Sequence, residues 1–508
     1  MSDSPVLIAG AGPTGLVLAL WLTRLGVKVR IVDKTAEAGT TSRALAVQAR
    51  TLEFYHQVGL DDAVVAGGVK IEKLNLWASG DRVASVPLQR IGEGFTPYAF
   101  ALIFPQDAHE RLLIERLRAL GVSVERRTEL LRFSQTNGGV KATLRRPDGS
   151  EEICEATFLA GADGASSVVR AQLGIEFPGG TYTGLFYVAD VQATGEPVHG
   201  ELHVDIEDAD FLLLFALKGD RRWRLVGTVH DLPKGEHGQL AFDDVKGKAI
   251  EHLKLNIEKV NWFSTYRVHH RVANRFREGR AFLLGDAAHI HSPVGGQGMN
   301  TGIGDAVNLA WKLAQVLKHG ASEKILDTYE PERIAFARRL VATTDRGFAL
   351  VTARGVVAAV VRKRIVPLVV PLLFRISAMR RLLFRTVSQT QVNYRDSALS
   401  SGAAGKVRGG DRLPWVKLRS GGDNFAPLTS LAWQVHVYGD LKQNVRDACE
   451  SLRLELHPFA WESGMRLAGL QKGALYLVRP DGYVALADPG ADPNQLSQYF
   501  STRKLTPS

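Results

Sequence analysis

Three glycine-rich segments, each with an acid at a fixed place, are the parts of this chain best equipped for chemistry. In the first, Gly10-Ala-Gly12-Pro13-Thr14-Gly15 follows the apolar run from Val6 to Ala9 and opens a helical pattern, and Asp33 ends the next apolar run. The glycines permit a tight turn, close approach of backbone to a pyrophosphate, and close helix–strand packing. The helix start offers free N–H groups to the phosphate charge, and Asp33 can accept hydrogen bonds from ribose hydroxyls. An acid at this position suits an unphosphorylated ribose, so FAD or NAD(H) belongs here and NADPH does not.

The second segment is Gly161-Ala-Asp163-Gly164, running on to Arg170. Taken alone, Asp-Gly before a helix is usually an N-cap. The third is Gly285-Asp286-Ala-Ala-His289, followed by Pro293, two glycines, Gln297, Gly298, Met299 and Asn300. Asp286, at a strand end, can meet a sugar-alcohol hydroxyl. The glycine-rich turn opens a helix whose positive pole would suit the C2 carbonyl and N1 edge of an isoalloxazine, where the reduced ring carries negative charge. The plainer reading of a glycine-rich helix start is geometry alone.

Other chemistries find less support. The two cysteines, Cys154 and Cys449, offer neither a CxxC pair nor a disulfide framework, and a reducing, cytoplasmic setting fits them. There is no HExxH metal signature and no GxSxG elbow. The net charge of +10 is spread along the chain and does not form the basic run expected of a nucleic-acid binder; it suits anionic small molecules.

The elements that must position these residues read as an α/β chain. Val6–Ala9, the glycine turn, a helix closed by Gly26 and the strand ending at Asp33 make a Rossmann-type unit. Helices follow near residues 51–60 and from Gln106, then paired strands turning at Pro147-Asp148-Gly149. Residues 175–275 are strand-rich, a β-sheet inserted into the first domain. A helix is expected from about Gly302 to Leu317. Gly402 to Gly410 reads as a connector before a third domain of short strands. The boundaries expected are 1–73, 100–174 and 276–345 for a discontinuous FAD-binding domain, 74–99 and 175–275 for the substrate sheet, 346–400 for connecting helices, and 401–508 for a C-terminal α/β domain.

Residues 356–385 alternate apolar runs with arginines, and the longest charge-free run, Ile365 to Phe374, holds two prolines and is too short to span a bilayer. It suits either weak contact with an anionic membrane surface or a connecting helix packed on the domain behind it, and packing is the favoured reading.

The three motifs together resemble the signature set of the class A flavoprotein monooxygenases, the single-component aromatic hydroxylases with the para-hydroxybenzoate hydroxylase fold. The resemblance covers roughly residues 5–345. It implies that Asp163 lies near the FAD pyrophosphate and the nicotinamide cofactor, that Asp286 holds the ribityl chain, and that Gly298, Met299 and Asn300 contact the flavin ring. It implies that Arg43, within Ser42-Arg43-Ala44, meets FAD, and that Gln106 contacts the ribityl region. Many relatives carry Glu where this chain has Asp33, a shorter acid with the same acceptor role. The segment from Val478 to Asp488 resembles the thioredoxin-like C-terminal domain of the phenol and polyketide hydroxylase branch; without a CxxC, a structural or homodimer-forming role is expected of it.

Only one dinucleotide fold is visible, so the resemblance implies that NADPH or NADH binds transiently, with Lys34, Arg43 and Arg50 as candidates for its phosphates. It implies hydroxylation of an aromatic or phenolic substrate with O2, through a flavin C4a-hydroperoxide shielded by the inserted sheet. Epoxidation, N-hydroxylation, dearomatisation or a non-catalytic FAD-binding scaffold remain alternatives. The residues do not name the catalytic base. His203, His230, Tyr187 and Trp223 lie near the sheet but read more readily as packing or surface, and His289 reads as architecture of the third motif.

Overall fold

The structure is a computed structural model that describes residues 5–39, 44–206, 212–229, 240–245, 248–292, 294–352 and 360–507. Ser42, Arg43, His230 and Pro293 therefore lie outside the described residues. In the first sheet the order is Arg277–Glu278, Ala281–Leu283, Phe158–Gly161, Val6–Ala9, Val29–Asp33 and Val124–Arg126. Its central pairings are parallel. Strands covered on both faces must be apolar in both directions, and Val6–Ala9 and Phe158–Gly161 are buried throughout.

The helix Pro13–Arg24 packs on this sheet, with Leu16 through Leu22 buried. Against it lies the helix Gly298–His319, which begins four residues before the expected Gly302. Gly298 itself starts that helix, so the glycine turn and the helix start are one feature. Two strands lead into the second motif. Glu151–Ala156 joins a three-stranded antiparallel sheet, and Phe158–Gly161 enters the parallel one.

An eight-stranded sheet stands over this unit. It is built from the long antiparallel pair Gly179–Gly195 and Leu255–Val272, the strands Leu202–Asp205, Leu212–Ala216 and Arg222–Val229, the hairpin Lys73–Ala78 with Asp81–Pro87, and the short His289–Ile290. Strand alternation divides its side chains between two faces. One face holds Tyr187, Ala189, Val191, Leu212, Leu214, Trp223 and Leu225 in a cluster closed by Phe242 and Ile250. The other carries Phe186, Val188 and Asp190 beside Thr228, Val226 and Arg224.

The C-terminal unit runs β-α-β-α-β-β-α from Gln434–Tyr438 to Pro493–Arg503. Its strands are ordered Glu455–Phe459, Gln434–Tyr438, Leu475–Val478 and Val484–Asp488, parallel in the first pair and antiparallel in the others. The expected glycine-rich connector is a correction: Ser401–Ala404 pairs with Val484–Asp488 and with Val407–Arg408 as two further strands of this sheet. Ladder bonds need only backbone. A Cβ on Gly402 would fall 2.3 Å from the Ala487 carbonyl oxygen, so a small residue is required there.

Of the segment 356–385, residues 356–359 lie outside the described residues, and Val366–Arg375 and Ser377–Val387 form two short helices. The second packs through the buried Phe384, as expected of a connecting helix, whereas the first has no buried residue.

Two buried histidines set a pH limit on this fold. Burial drives His109 and His436 down to about 3, so both stay neutral where the unfolded chain would take up protons. Their folded pKa lies below the unfolded one, so the contribution is complete above about pH 6.5 and is lost as pH falls, at up to about 1.4 kcal/mol per unit for each. The thermal midpoint should drop steeply between pH 6.5 and 4.5. A His109→Gln/His436→Gln double variant should show a shallower acid limb.

Candidate active site

The three motifs converge on one place. Gly10 has φ +103°, and a Cβ there would fall 2.2 Å from the Ala162 carbonyl oxygen; the Ala162 N–H donates to Ala9 O at 2.8 Å. This abuts the second motif on the first. A Cβ on Gly15 would lie 2.0 Å from the Gly10 carbonyl oxygen. Thr14 ties the first motif to the third: methyls on Gly285 and Gly302 would fall 2.7 and 2.2 Å from its Oγ1. Pro13 occupies the first helical turn, where its missing N–H costs nothing.

Gly12 is the exception, for a Cβ there would meet nothing within 4 Å. No side chain caps the helix it opens, and none caps the helix at Gly298. Two positive helix poles thus lack a side-chain acceptor among the described residues. Asp163 adds to this. Its Oδ2 accepts the Val169 N–H at 3.1 Å, whereas its buried Oδ1 meets no partner among the described residues. Two uncapped helix starts and open space at Gly12 fit the anionic diphosphate of a dinucleotide, and the unsatisfied carboxylate oxygen fits a hydroxyl donor of its sugar. FAD would be held by these residues.

Asp33 sits at the end of its strand with Oδ2 accepting Ala11 N–H at 2.6 Å and Oδ1 accepting both Thr35 donors. Arg126 lies 3.6 Å away. Lys34, next to it, is exposed. Gln106 accepts the Ala44 N–H at 3.2 Å and donates to Glu110 at 2.8 Å, tethering the chain that leads to Ala46. Asp286 is exposed at the strand end, while Met299 is half-buried.

One expectation needs correction. Arg50 is not free to meet a nicotinamide phosphate: it is 3% exposed, donates to Glu53 at 2.9 Å and to Asp481 O at 2.8 Å, and lies over Phe54. The Asn300 side chain is bonded within the protein. Its Nδ2 donates to Ala46 O and Gly296 O, and its Oδ1 accepts from Gln48 N and Thr51 Oγ1, so its amide is spent on holding the glycine turn.

The histidines separate by environment. His203, Tyr187 and Trp223 are buried in the sheet, with His203 bonded to Trp77 Nε1. His289 meets the Asp305 Oδ2 at 2.7 Å; a carboxylate only accepts, so Nε2 carries the proton. Asp305 also accepts the Gly285 N–H and the Arg333 guanidinium. Burial pushes its carboxyl up, but Arg333 and His289 outweigh that and hold it below the usual range.

Motif reading missed His291. Its Nδ1 donates to Ser292 O at 2.9 Å, and burial lowers the ring to about 4, which leaves Nε2 an unprotonated acceptor. That atom is buried, without a partner among the described residues, and 3.6 Å from where a Gly298 Cβ would be. Spacing alone cannot separate it from His289, two residues earlier.

Above the turn stands the second face of the eight-stranded sheet. Phe215 and Leu202, on that face, pack with Leu45, Ala46 and Ile103. A Cβ on Gly296 would lie 2.7 Å from the Ala46 Cβ, so this face looks onto the glycine turn. It presents Phe186, Val188, Leu213, Val226 and Tyr266, with the ion pair Arg224–Asp190 and the Thr228 hydroxyl, whose Oγ1 is buried without a partner. No cluster of metal-ligating side chains occurs among the described residues.

Comparison with known proteins agrees with this geometry. A family described as FAD binding domain matches residues 3–344. A 6-methylpretetramide 4-monooxygenase of Streptomyces rimosus is 34% identical, covering 100% of this chain and 95% of its own. A dialkyldecalin synthase of Streptomyces rugosporus is 31% identical, covering 96% of each chain. Among solved structures, the anhydrotetracycline hydroxylase OxyS of Streptomyces rimosus superposes with a TM-score of 0.78 at 28% identity, covering 99% of both chains.

Proposed function

From the premise that the chain belongs to the FAD binding domain family, as a class A flavoprotein monooxygenase, we propose how its residues serve the reaction and which substrate they take. The observation that carries the reading is the pair of uncapped, glycine-opened helix starts beneath an apolar sheet face. FAD held there supplies acceptance of two electrons from a nicotinamide and activation of O2 for transfer of one oxygen atom.

The chain's own residues do the rest. Gly12 leaves room for the diphosphate and the first helix start meets its charge, with Asp33 at the adenosine ribose and Asp286 at the sugar alcohol. The start at Gly298 faces the ring edge that gains negative charge. Phe186, Val188, Leu213, Val226 and Tyr266 exclude water above it and match a flat aromatic substrate. His291 Nε2, unpartnered among the described residues at the junction of roof and turn, offers a neutral hydrogen-bond acceptor that orients a phenol hydroxyl. Thr228 hydroxyl marks a polar point for orienting the substrate. The full-length matches to the 6-methylpretetramide 4-monooxygenase and the anhydrotetracycline hydroxylase support a fused polycyclic phenol over a single ring. NADPH or NADH is the reductant, binding transiently, and the setting is cytoplasmic. The strand order of the C-terminal unit supports a thioredoxin-like fold with a bracing role.

The test is anaerobic reduction of the holoenzyme by NADPH and by NADH, with a panel of mono- and polycyclic phenols. A polycyclic phenol should speed flavin bleaching at least tenfold and appear hydroxylated when air is admitted. A tight FAD complex that no phenol stimulates and that consumes no O2 with any of them would overturn the oxygenase reading. In the His291→Gln enzyme, where the acceptor is lost, product formation should fall roughly tenfold with FAD affinity unchanged.

A further inference from the structure

Between Arg346 and Arg395 the sequence holds ten arginines and lysines and no aspartate or glutamate, so one tenth of the chain carries a charge equal to the whole net +10. Within it lie the helices Val366–Arg375, which buries no residue, and Ser377–Val387, which buries Phe384. Ile365, Leu368, Val369, Leu372 and Ile376 recur at three- and four-residue spacing, which places them on one helical face. That face points to solvent: Leu368 is 75% exposed, Leu372 57%, Ile376 49% and Ile365 47%. Leu382 on the second helix continues it at 54%. A packed surface helix would turn these residues inward.

The pair is nevertheless fixed to the body. Phe384 is buried where a Cβ on Gly92 would strike its ring, and Val387 O accepts from the Gln297 amide at 2.7 Å. The first helix also lies along the strand Asp81–Pro87 at the edge of the roof sheet. Exposed Arg364 and Arg375 bracket the apolar stripe, and exposed Arg381 follows.

We infer that this surface docks on an anionic lipid bilayer and lies in the interfacial plane. The leucines and isoleucines enter the boundary of the acyl region, and the flanking guanidiniums pair with lipid phosphates. The helix of ten residues, with Pro367 and Pro371 in it, is too short to cross, and no described helix is long and apolar enough to do so. A second copy is disfavoured as the occupant, since a twofold contact would lay acid-free, strongly cationic surfaces against each other. An anionic bilayer supplies both the apolar phase and the missing negative charge.

The test is flotation of full-length, FAD-loaded protein with vesicles of phosphatidylcholine, with and without about one-third phosphatidylglycerol. Binding to the anionic vesicles should exceed binding to neutral ones by roughly tenfold or more, and weaken as salt rises. Leu368→Asp/Leu372→Asp should lower it by roughly tenfold or more, with FAD content and melting unchanged because both sites are solvent-facing; Arg364→Gln/Arg375→Gln should do likewise on anionic vesicles only. No flotation, or equal binding to both vesicles, would overturn the inference. So would a dimer in sedimentation velocity that the leucine double variant dissociates, since the face would then belong to a second copy.

Discussion

Gly12→Ala should leave the protein as stable as the parent to within about 0.5 kcal/mol, yet weaken FAD binding by roughly a hundredfold or more. The backbone at Gly12, φ −75° and ψ −179°, is one that alanine adopts freely, and its methyl would meet no atom of the described residues within 4 Å. It would instead occupy the space where a diphosphate must approach the helix start. Gly15→Ala should fail differently. Its methyl would lie 2.0 Å from a backbone oxygen that cannot swing away, so helix and strand must separate and both folding and cofactor are lost. Flavin fluorescence titration of apoprotein, beside urea unfolding, separates the two. Gly12→Ala protein that retains parental FAD affinity would show that the diphosphate does not sit there.

The glycine motif was legible in sequence because each glycine answers a separate steric demand, and those demands are local. Asp33 was legible for the same reason, being one strand away. Long-range roles were not. Asn300 follows a helix start that suggests a ligand contact, but its amide partners at Ala46, Gln48 and Thr51 lie some 250 residues earlier, and no spacing rule reaches them. Arg50 resembles a surface cation until Glu53 and Asp481 enclose it. Gly402 looked like linker because glycine lacks side-chain pattern, whereas backbone ladders need none. The stripe from Ile365 to Ile376 misled in another way. Its period is that of any amphipathic helix, and period alone does not say which side meets the protein. The roof sheet, by contrast, announced itself through alternation, and the face turned to the glycine turn follows from pairing register.

Arg333→Met should be the most damaging change far from any ligand. The Arg333 guanidinium is buried, with Nε on Asp305 at 2.6 Å, one Nη on the Tyr394 hydroxyl and the other on Thr301 O. Removing it strands the Asp305 carboxylate in the core with only His289 and the Gly285 N–H. Breaking a buried pair from one side costs about 3–5 kcal/mol, because the desolvated charge left behind has lost its counterion. The damage has a direction as well as a size. Asp305 holds both ends of the Gly285 to His289 turn, so the third motif should loosen and FAD affinity should fall roughly tenfold before the fold is lost. Met nearly preserves volume, so a cavity does not explain the loss. Adding Asp305→Asn removes the stranded charge, and the double variant should be less destabilised than the sum of the two single changes. Urea unfolding of the four proteins in the cycle, with FAD titration of each, decides the matter. A cost below about 1 kcal/mol for Arg333→Met, or strict additivity in the cycle, would mean that the third motif is held by packing and that the ion pair is incidental to it.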